Sequence, residues 1–327
     1  MPRGRSVFHL IVLVIAIIAP LILRSNYLRE LLVMSCIFAI LALSLDVITG
    51  YMGQLSFGHS AFFGIGAYTA ALISLRLEWS DWIGIVAAVL LSALFGVLIG
   101  YVSLKRTRGM YLAIVTFGFG WALYVIASNW FSLTRGPTGL FGIPAPVVDL
   151  PFLPPFKIYS NLSYYYFSLI LLLFVLYLIQ SMLRSRFGRA LITIRENEDL
   201  ARSIGINPQK YCVLAFTFAT GVAGFAGAIY TYHIRTISPG LLSMSYMIMM
   251  VVMVVVGGMG TLGGPIMGAL IYIWSSELLR FSGSLRFFFL GAIVLIAIIF
   301  MPRGVYPWLI TLGDWIAAHH KKDLSDS

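Results

Sequence analysis

Apolar positions run in long blocks along this chain, and polar positions collect in the short intervals between them. A helix needs about 20 predominantly apolar residues to cross a bilayer. Ten blocks meet or approach that length: 7–23, 31–49, 60–75, 82–104, 110–131, 162–183, 211–234, 242–257, 262–279 and 287–301. Of these, 60–75 and 242–257 are the shortest in effect, because glycine or methionine fills much of them. Eight spans with two re-entrant segments fit the same pattern. Arg3 and Arg5 precede the first block as in a secretory leader, but no small-x-small site follows it, so a retained span is expected. Gly96 and Gly100, like Gly224 and Ala228, sit four residues apart, the spacing at which small residues let membrane helices approach closely. The expected fold is all-α, a polytopic transmembrane helical bundle of about 8–10 spans, some of them discontinuous. Residues 1–304 form the membrane domain, with an outer loop at 132–160 and a cytoplasmic loop at 184–210. At 305–327 a short amphipathic helix and tail are expected to lie in the cytoplasmic interface, with Leu309, Leu312, Trp315 and Ile316 on one face.

Composition sharpens this. Sixty per cent of the 327 residues are apolar and 10% are charged, and the mean hydropathy is +0.95. Soluble domains carry about 25% charged residues. A soluble chain of this length has too much surface to hide so much hydrocarbon. A soluble enzyme, a nucleic-acid binder and a disordered chain are therefore excluded. The net charge of +10 reads as topogenic. With the N-terminus inside, 14 of the 22 Lys and Arg residues fall on the cytoplasmic side, which puts both termini there and the number of spans even. Cys36 and Cys212 lie in apolar runs without metal or redox spacing, so no metal site is expected.

Three segments depart from plain membrane helix. The first runs from Asp46 through Gly50, Gly53, Gln54, Ser56 and Gly58 to His59 and Ser60. Irregular backbone at membrane depth survives only where protein buries it or water reaches it. That reads as a discontinuous helix lining a solute pathway, or equally as a cytoplasmic turn between two spans. A lone His59 is commonly a packed, hydrogen-bonded histidine, and Asp46 near a helix end can be a cap. The second break spans 235–268, with a glycine cluster around Thr261. It resembles the first break and hints at a weak internal repeat; paired glycine-broken helices in two halves point to a transporter's central site. Within it, Gly258-Met-Gly-Thr-Leu-Gly263 matches the dinucleotide fingerprint, but such a site needs a surrounding βαβ unit, and bilayer-length apolar runs flank it instead. No P-loop motif occurs, so no ATP site and no cofactor are expected in this chain. Asp46, Gln54, Ser56, His59 and Thr261 are the pathway candidates, on polarity and chain breaks alone.

The third segment, 184–210, holds nine charged residues in 27. It contains a compact helix signature. Asn197 suits the N-cap, Glu198 and Asp199 the first turn, Arg202 the last turn, and Gly205 the left-handed position beyond it, while Pro208 blocks continuation. Leu200, Ala201 and Ile204 form a small apolar face. A capped helix in a cytoplasmic loop can dock in a partner's groove, or simply lie in the interface.

These stretches together resemble the LivM-type permeases of branched-chain amino-acid ABC importers. The matching runs are LALSLDVITGYMGQLSFGHSAFFGIGAYTAAL (41–72), TRGPTGLFGIP (134–144), RFGRALITIRENEDLARSIGIN (186–207), FATGVAGFAGAIY (218–230) and VVVGGMGTLGGPIMGAL (254–270), in the family's order. The resemblance implies a non-catalytic permease subunit in a prokaryotic inner membrane, moving branched-chain amino acids by alternating access. It further implies a second homologous permease, two ATP-binding subunits that consume the ATP, and a periplasmic or lipid-tethered binding protein. Residues 195–207, with Arg195, Glu196, Asn197, Glu198, Asp199, Leu200, Arg202, Ile204 and Gly205, would contact the ATPase, and 134–144 would face the binding protein. Related permeases carrying urea or short amides share such motifs. Two rivals lie outside the class: an ion-coupled secondary transporter using Asp46 and Glu277, and a pore or structural membrane protein. Against the latter stand the glycine-broken helices in both halves and the capped cytoplasmic helix.

Overall fold

The computed structural model describes residues 3–23, 25–106, 110–144, 147–148, 156–157 and 160–311. In chain order its helices are α1 (Arg3–Ile22), α2 (Asn26–Asp46), α3 (His59–Leu72), α4 (Asp81–Arg106), α5 (Met110–Asn129), α6 (Phe131–Thr134), α7 (Asn161–Arg184), α8 (Arg186–Glu196), α9 (Glu198–Ser203), α10 (Pro208–Ile234), α11 (Met244–Gly257), α12 (Gly264–Leu278) and α13 (Arg286–Phe300). Residues 305–311 are also helical. Four two-residue strands complete the described chain: β1 (Leu140–Phe141), β2 (Val147–Val148), β3 (Phe156–Lys157) and β4 (Thr236–Ile237). The fold is a polytopic helical bundle.

Every block predicted as a span is helical, but six described helices are long and apolar enough to cross a bilayer. They are Asn26–Tyr51, His59–Leu77, Asp81–Leu104, Tyr111–Asn129, Asn161–Arg184 and Pro208–Ile234. The doubtful block 60–75 is among them, because a π-helical turn at Ile73–Leu77 prolongs α3. The other doubtful block, 242–257, is helical over Met244–Gly257, whose 14 residues fall short of bilayer length. Residues 312–327, which include Leu312, Trp315 and Ile316, lie outside the described residues.

Burial sorts the helices into inner and outer. The apolar window of α2 is 89% buried, against 28–33% for those of α4, α5 and α7. Thus α2 is the centre of the bundle, flanked by α7, α10, α11 and α12, while the outer helices present Leu90, Leu94, Trp121 and Tyr177 outward. Such faces suit lipid, which is as apolar as they are. The predicted small-residue pairs form a seam. Gly96 and Gly100 of α4 lie against Thr220 and Phe216 of α10, and Gly224 of α10 lies against Ser92 of α4.

Two ends of the bundle are built differently. At one, β1 pairs antiparallel with β4, with Leu140 opposite Ile237, tying the loop after α6 to the end of α10. Nearby, His233 Nε2 and Glu30 Oε1 are 2.7 Å apart, and the Tyr164 ring lies 4.6 Å from the His233 ring. The Arg29 guanidinium donates to the carbonyls of Pro20 and Leu23 at 3.1 Å each, closing the corner between α1 and α2. At the opposite end, α8 and α9 pack beneath α10 and the turn that follows α2.

Candidate functional site

The three irregular segments singled out in the sequence meet at this second end. The first break starts as a π-helical turn, Val47–Tyr51, continuing α2. Wider i→i+5 bonding of this kind is seen where a helix loosens, and here Met52 N–H reaches the carbonyl of Val47 at 3.0 Å. Gly53, at φ +71°, then turns the chain back toward α3. Thr116 of α5 holds the returning segment: its hydroxyl accepts from Phe57 N–H at 3.1 Å and donates to the carbonyl of Leu112 at 2.8 Å.

The second break lies against the first. The Asp46 Oδ1 accepts from the backbone N–H of Gly260 at 2.8 Å. A side chain at Gly50 would strike both that carboxylate and the Gly260 backbone, so close approach of two chain breaks requires glycine here. The turn around Gly260 is held locally by Thr261. Its hydroxyl donates to the Gly258 carbonyl at 2.8 Å and accepts from Gly264 N–H at 3.1 Å, starting α12. Tyr306 packs over Gly263.

The third segment reaches into this contact. From the end of α8, Arg195 Nη1 donates to the Gly50 carbonyl at 2.6 Å, and Nη2 donates to Glu196 at 3.0 Å. The Arg195 charge also attracts the Asp46 carboxylate. A buried carboxylate is costly unless paired or hydrogen-bonded; Asp46 Oδ1 has the Gly260 amide, while its Oδ2 is buried without a hydrogen bond among the described residues.

The helix signature after Arg195 is realised residue by residue. Asn197 Oδ1 accepts from Leu200 N–H at 2.9 Å, Arg202 pairs with Glu198 at 2.7 Å, and Gly205 sits at φ +85°. Pro208 does more than block continuation, since it opens α10. The expected apolar face divides: Ala201 is buried, whereas Leu200 and Ile204 are 57% and 63% exposed. α8 itself, an amphipathic helix preceding this one, was not among the sequence expectations.

Among the pathway candidates, Gln54 lines a polar cavity of about 510 Å³ with Arg195, Glu198 and Arg202, between the first break and α8–α10. Asp46 stands at the junction, and Thr261 beside it in the neighbouring turn. Ser56 and His59 are buried away from the cavity; His59 Nε2 lies 2.8 Å from Ser44 Oγ. Glu277 lies far from all of these, paired with Arg280 at 3.2 Å and hydrogen-bonded to Tyr27. Asp199 is exposed on α9. Among the described residues no cluster of His, Cys, Asp or Glu could hold a metal. The direct contact between the two breaks is not among the sequence expectations. Its signal was a glycine four residues after a buried aspartate, facing a second glycine cluster.

A family profile described as branched-chain amino acid transport system / permease component matches residues 27–298. The chain belongs to this permease family. It is 32% identical, over 93% of its length and 75% of the relative's, to the high-affinity branched-chain amino acid transport system permease protein LivM of Salmonella typhimurium. A probable LivM of Methanocaldococcus jannaschii is 21% identical over 83% of this chain and 90% of its own. The permease protein LivH of Salmonella typhimurium is 23% identical over 72% of this chain and 79% of its own. No solved structure matches it significantly. The permease is a polytopic membrane protein, and the junction of its two breaks with Arg195 falls inside the matched region.

Proposed function

We propose that this permease is the membrane subunit of an ATP-driven importer that carries branched-chain amino acids across a prokaryotic inner membrane by alternating access. Both termini face the cytoplasm, and residues 305–327 lie at that interface beside a membrane domain of residues 1–304. A second, homologous permease completes the pathway. Similarity to both LivM and LivH relatives supports this, since two related permease proteins are named for one kind of system. Two ATP-binding subunits bind and hydrolyse the ATP, and this chain binds none; a periplasmic or lipid-tethered binding protein delivers the solute to the outer loop.

One observation carries the reading: Arg195 joins the loop that holds α9 to the broken end of α2. Leu200 on α9 and Ile204 just beyond its end dock on the ATPase. Arg195, Glu196, Asn197, Glu198, Asp199, Arg202 and Gly205 shape and orient that element. Its movement passes through Arg195 to Gly50, Asp46 and the Gly260 turn, which opens or closes the pathway end near Gln54 and Thr261. Ser56 and His59 line the segment that must shift with them.

The test is uptake of labelled leucine by the reconstituted complex with its binding protein, using wild-type or hydrolysis-dead ATPase subunits. Urea and a short amide serve as competitors. Leucine uptake that disappears with the dead ATPase establishes class and substrate. Uptake that survives removes the ATP-driven class. Hydrolysis-dependent uptake of urea or amide, without leucine, keeps the class and replaces the substrate.

A further inference from the structure

A second cavity lies at the other end of the bundle. It measures about 300 Å³, and its lining includes Thr138, Phe141, Tyr230, Ser238, Leu241 and Tyr246. Small-molecule pockets run from roughly 300 to 1,000 Å³, so this one suits a single small solute.

Its walls are graded. Behind Tyr230 and Tyr246 stand the buried rings of Phe38 and Phe63, with Phe63 centred 5.4 Å from Tyr230 and Phe38 centred 5.9 Å from it. The Tyr230 and Tyr246 hydroxyls meet at 3.3 Å, and each oxygen can both donate and accept. Thr138 and Ser238 add hydroxyls at the rim. Among the described residues no charged side chain belongs to the lining. Two cations stand beside the lining: Arg135, whose guanidinium lies 4.9 Å from the Phe141 ring centroid, and Arg235, exposed between the lining residues Ile234 and Thr236. Such a pocket desolvates an aliphatic side chain favourably, offers hydroxyls to a polar head, and draws a carboxylate to its mouth. A charged side chain placed inside would lose its hydration without a partner.

Position gives the cavity a use. Tyr230 stands near the end of α10, whose first residue, Pro208, follows α9. Tyr246 stands in the first turn of α11, whose last residue, Gly257, leads into the turn held by Asp46. Each tyrosine thus sits on a helix whose far end joins the coupling junction.

We infer that the cavity bounded by Tyr230, Tyr246, Leu241 and Thr138 is an entry site that takes one branched aliphatic amino acid before translocation. The inference rests on the importer reading and deepens it by naming the substrate's first station. The Tyr230–Tyr246 hydroxyl pair senses movement of α10 against α11 and reshapes the site during the cycle.

The test measures initial rates of leucine uptake in the full reconstituted complex across leucine-loaded binding protein concentrations, with the affinity of the loaded binding protein for the complex measured alongside. A KM rise at unchanged docking affinity supports the entry site, and one matched by an equal loss of docking affinity overturns it. Thr138→Trp fills the cavity from its exposed rim, so the core is left intact. Tyr246→Phe removes one hydroxyl without changing the ring. A change at Tyr177, exposed on the distant face of α7, serves as control. The expected result is a rise of about tenfold or more in KM for Thr138→Trp, a smaller rise for Tyr246→Phe, and no change for Tyr177→Phe. If Thr138→Trp fails to assemble, the KM of Tyr246→Phe decides alone. Wild-type leucine uptake with unchanged KM in both variants overturns the entry site and leaves the importer reading standing. Absence of leucine uptake in the wild type overturns both.

Discussion

Arg195 and Gly50 are 145 positions apart, yet the guanidinium of one donates to the backbone carbonyl of the other at 2.6 Å. The acceptor belongs to a π-helical turn at the end of the most buried helix, and the donor stands two residues before the N-cap of α9. A charged donor on a loosened turn is suited to transmit movement, because the carbonyl it holds is not committed to a regular helical bond.

Arg195→Ala should separate ATP hydrolysis from transport. Coupling energies between sites commonly correspond to about 5–150-fold, so leucine uptake per ATP hydrolysed is expected to fall about tenfold or more. Arg195→Lys keeps the charge but loses the planar fork, and should fall between. Parallel assays of uptake and phosphate release check this; tight coupling in Arg195→Ala would remove the strut.

Gly50→Ala should destabilise the assembled permease, because a methyl group there meets the Asp46 carboxylate and the Gly260 backbone. Forced overpacking costs about 1–3 kcal/mol. Thermal unfolding of the detergent-solubilised complex is the readout, and an unaltered midpoint would mean that the two breaks separate easily.

Asp46→Asn keeps an oxygen acceptor for the Gly260 amide. Uptake should therefore persist and remain dependent on hydrolysis. Asp46→Leu leaves that amide unpaired and should cost about 1–3 kcal/mol of stability. Loss of uptake in Asp46→Asn at full stability would favour an ion-carrying carboxylate instead.

Leu200→Asp places a charge on a side chain that is already 57% exposed. The permease should fold normally and associate with the ATP-binding subunits at least about tenfold more weakly. Co-purification and hydrolysis-dependent uptake measure this, and normal values for both would move the docking face elsewhere.

Periodicity and composition were enough for the bundle, the closely packed seam and the α9 helix, because each depends on local rules. Apolar length decides a span, small residues four apart decide a close face, and Asn197 with Gly205 decides the ends of a short helix. The third-dimensional relationships were different in kind. Nothing local says that Gly50 lies on Gly260, that Arg195 reaches past its own helix, or that Tyr230 meets Tyr246 above a cavity. The fate of the polar candidates was equally hidden. His59 is enclosed beside Ser44, Thr261 is occupied in starting α12, and Gln54 faces a cavity. In hydrocarbon every polar group must find a partner inside the protein, and which partner it finds depends on how distant helices pack. Local residue patterns set the helices and where they break, while the packing of distant helices set which breaks touch.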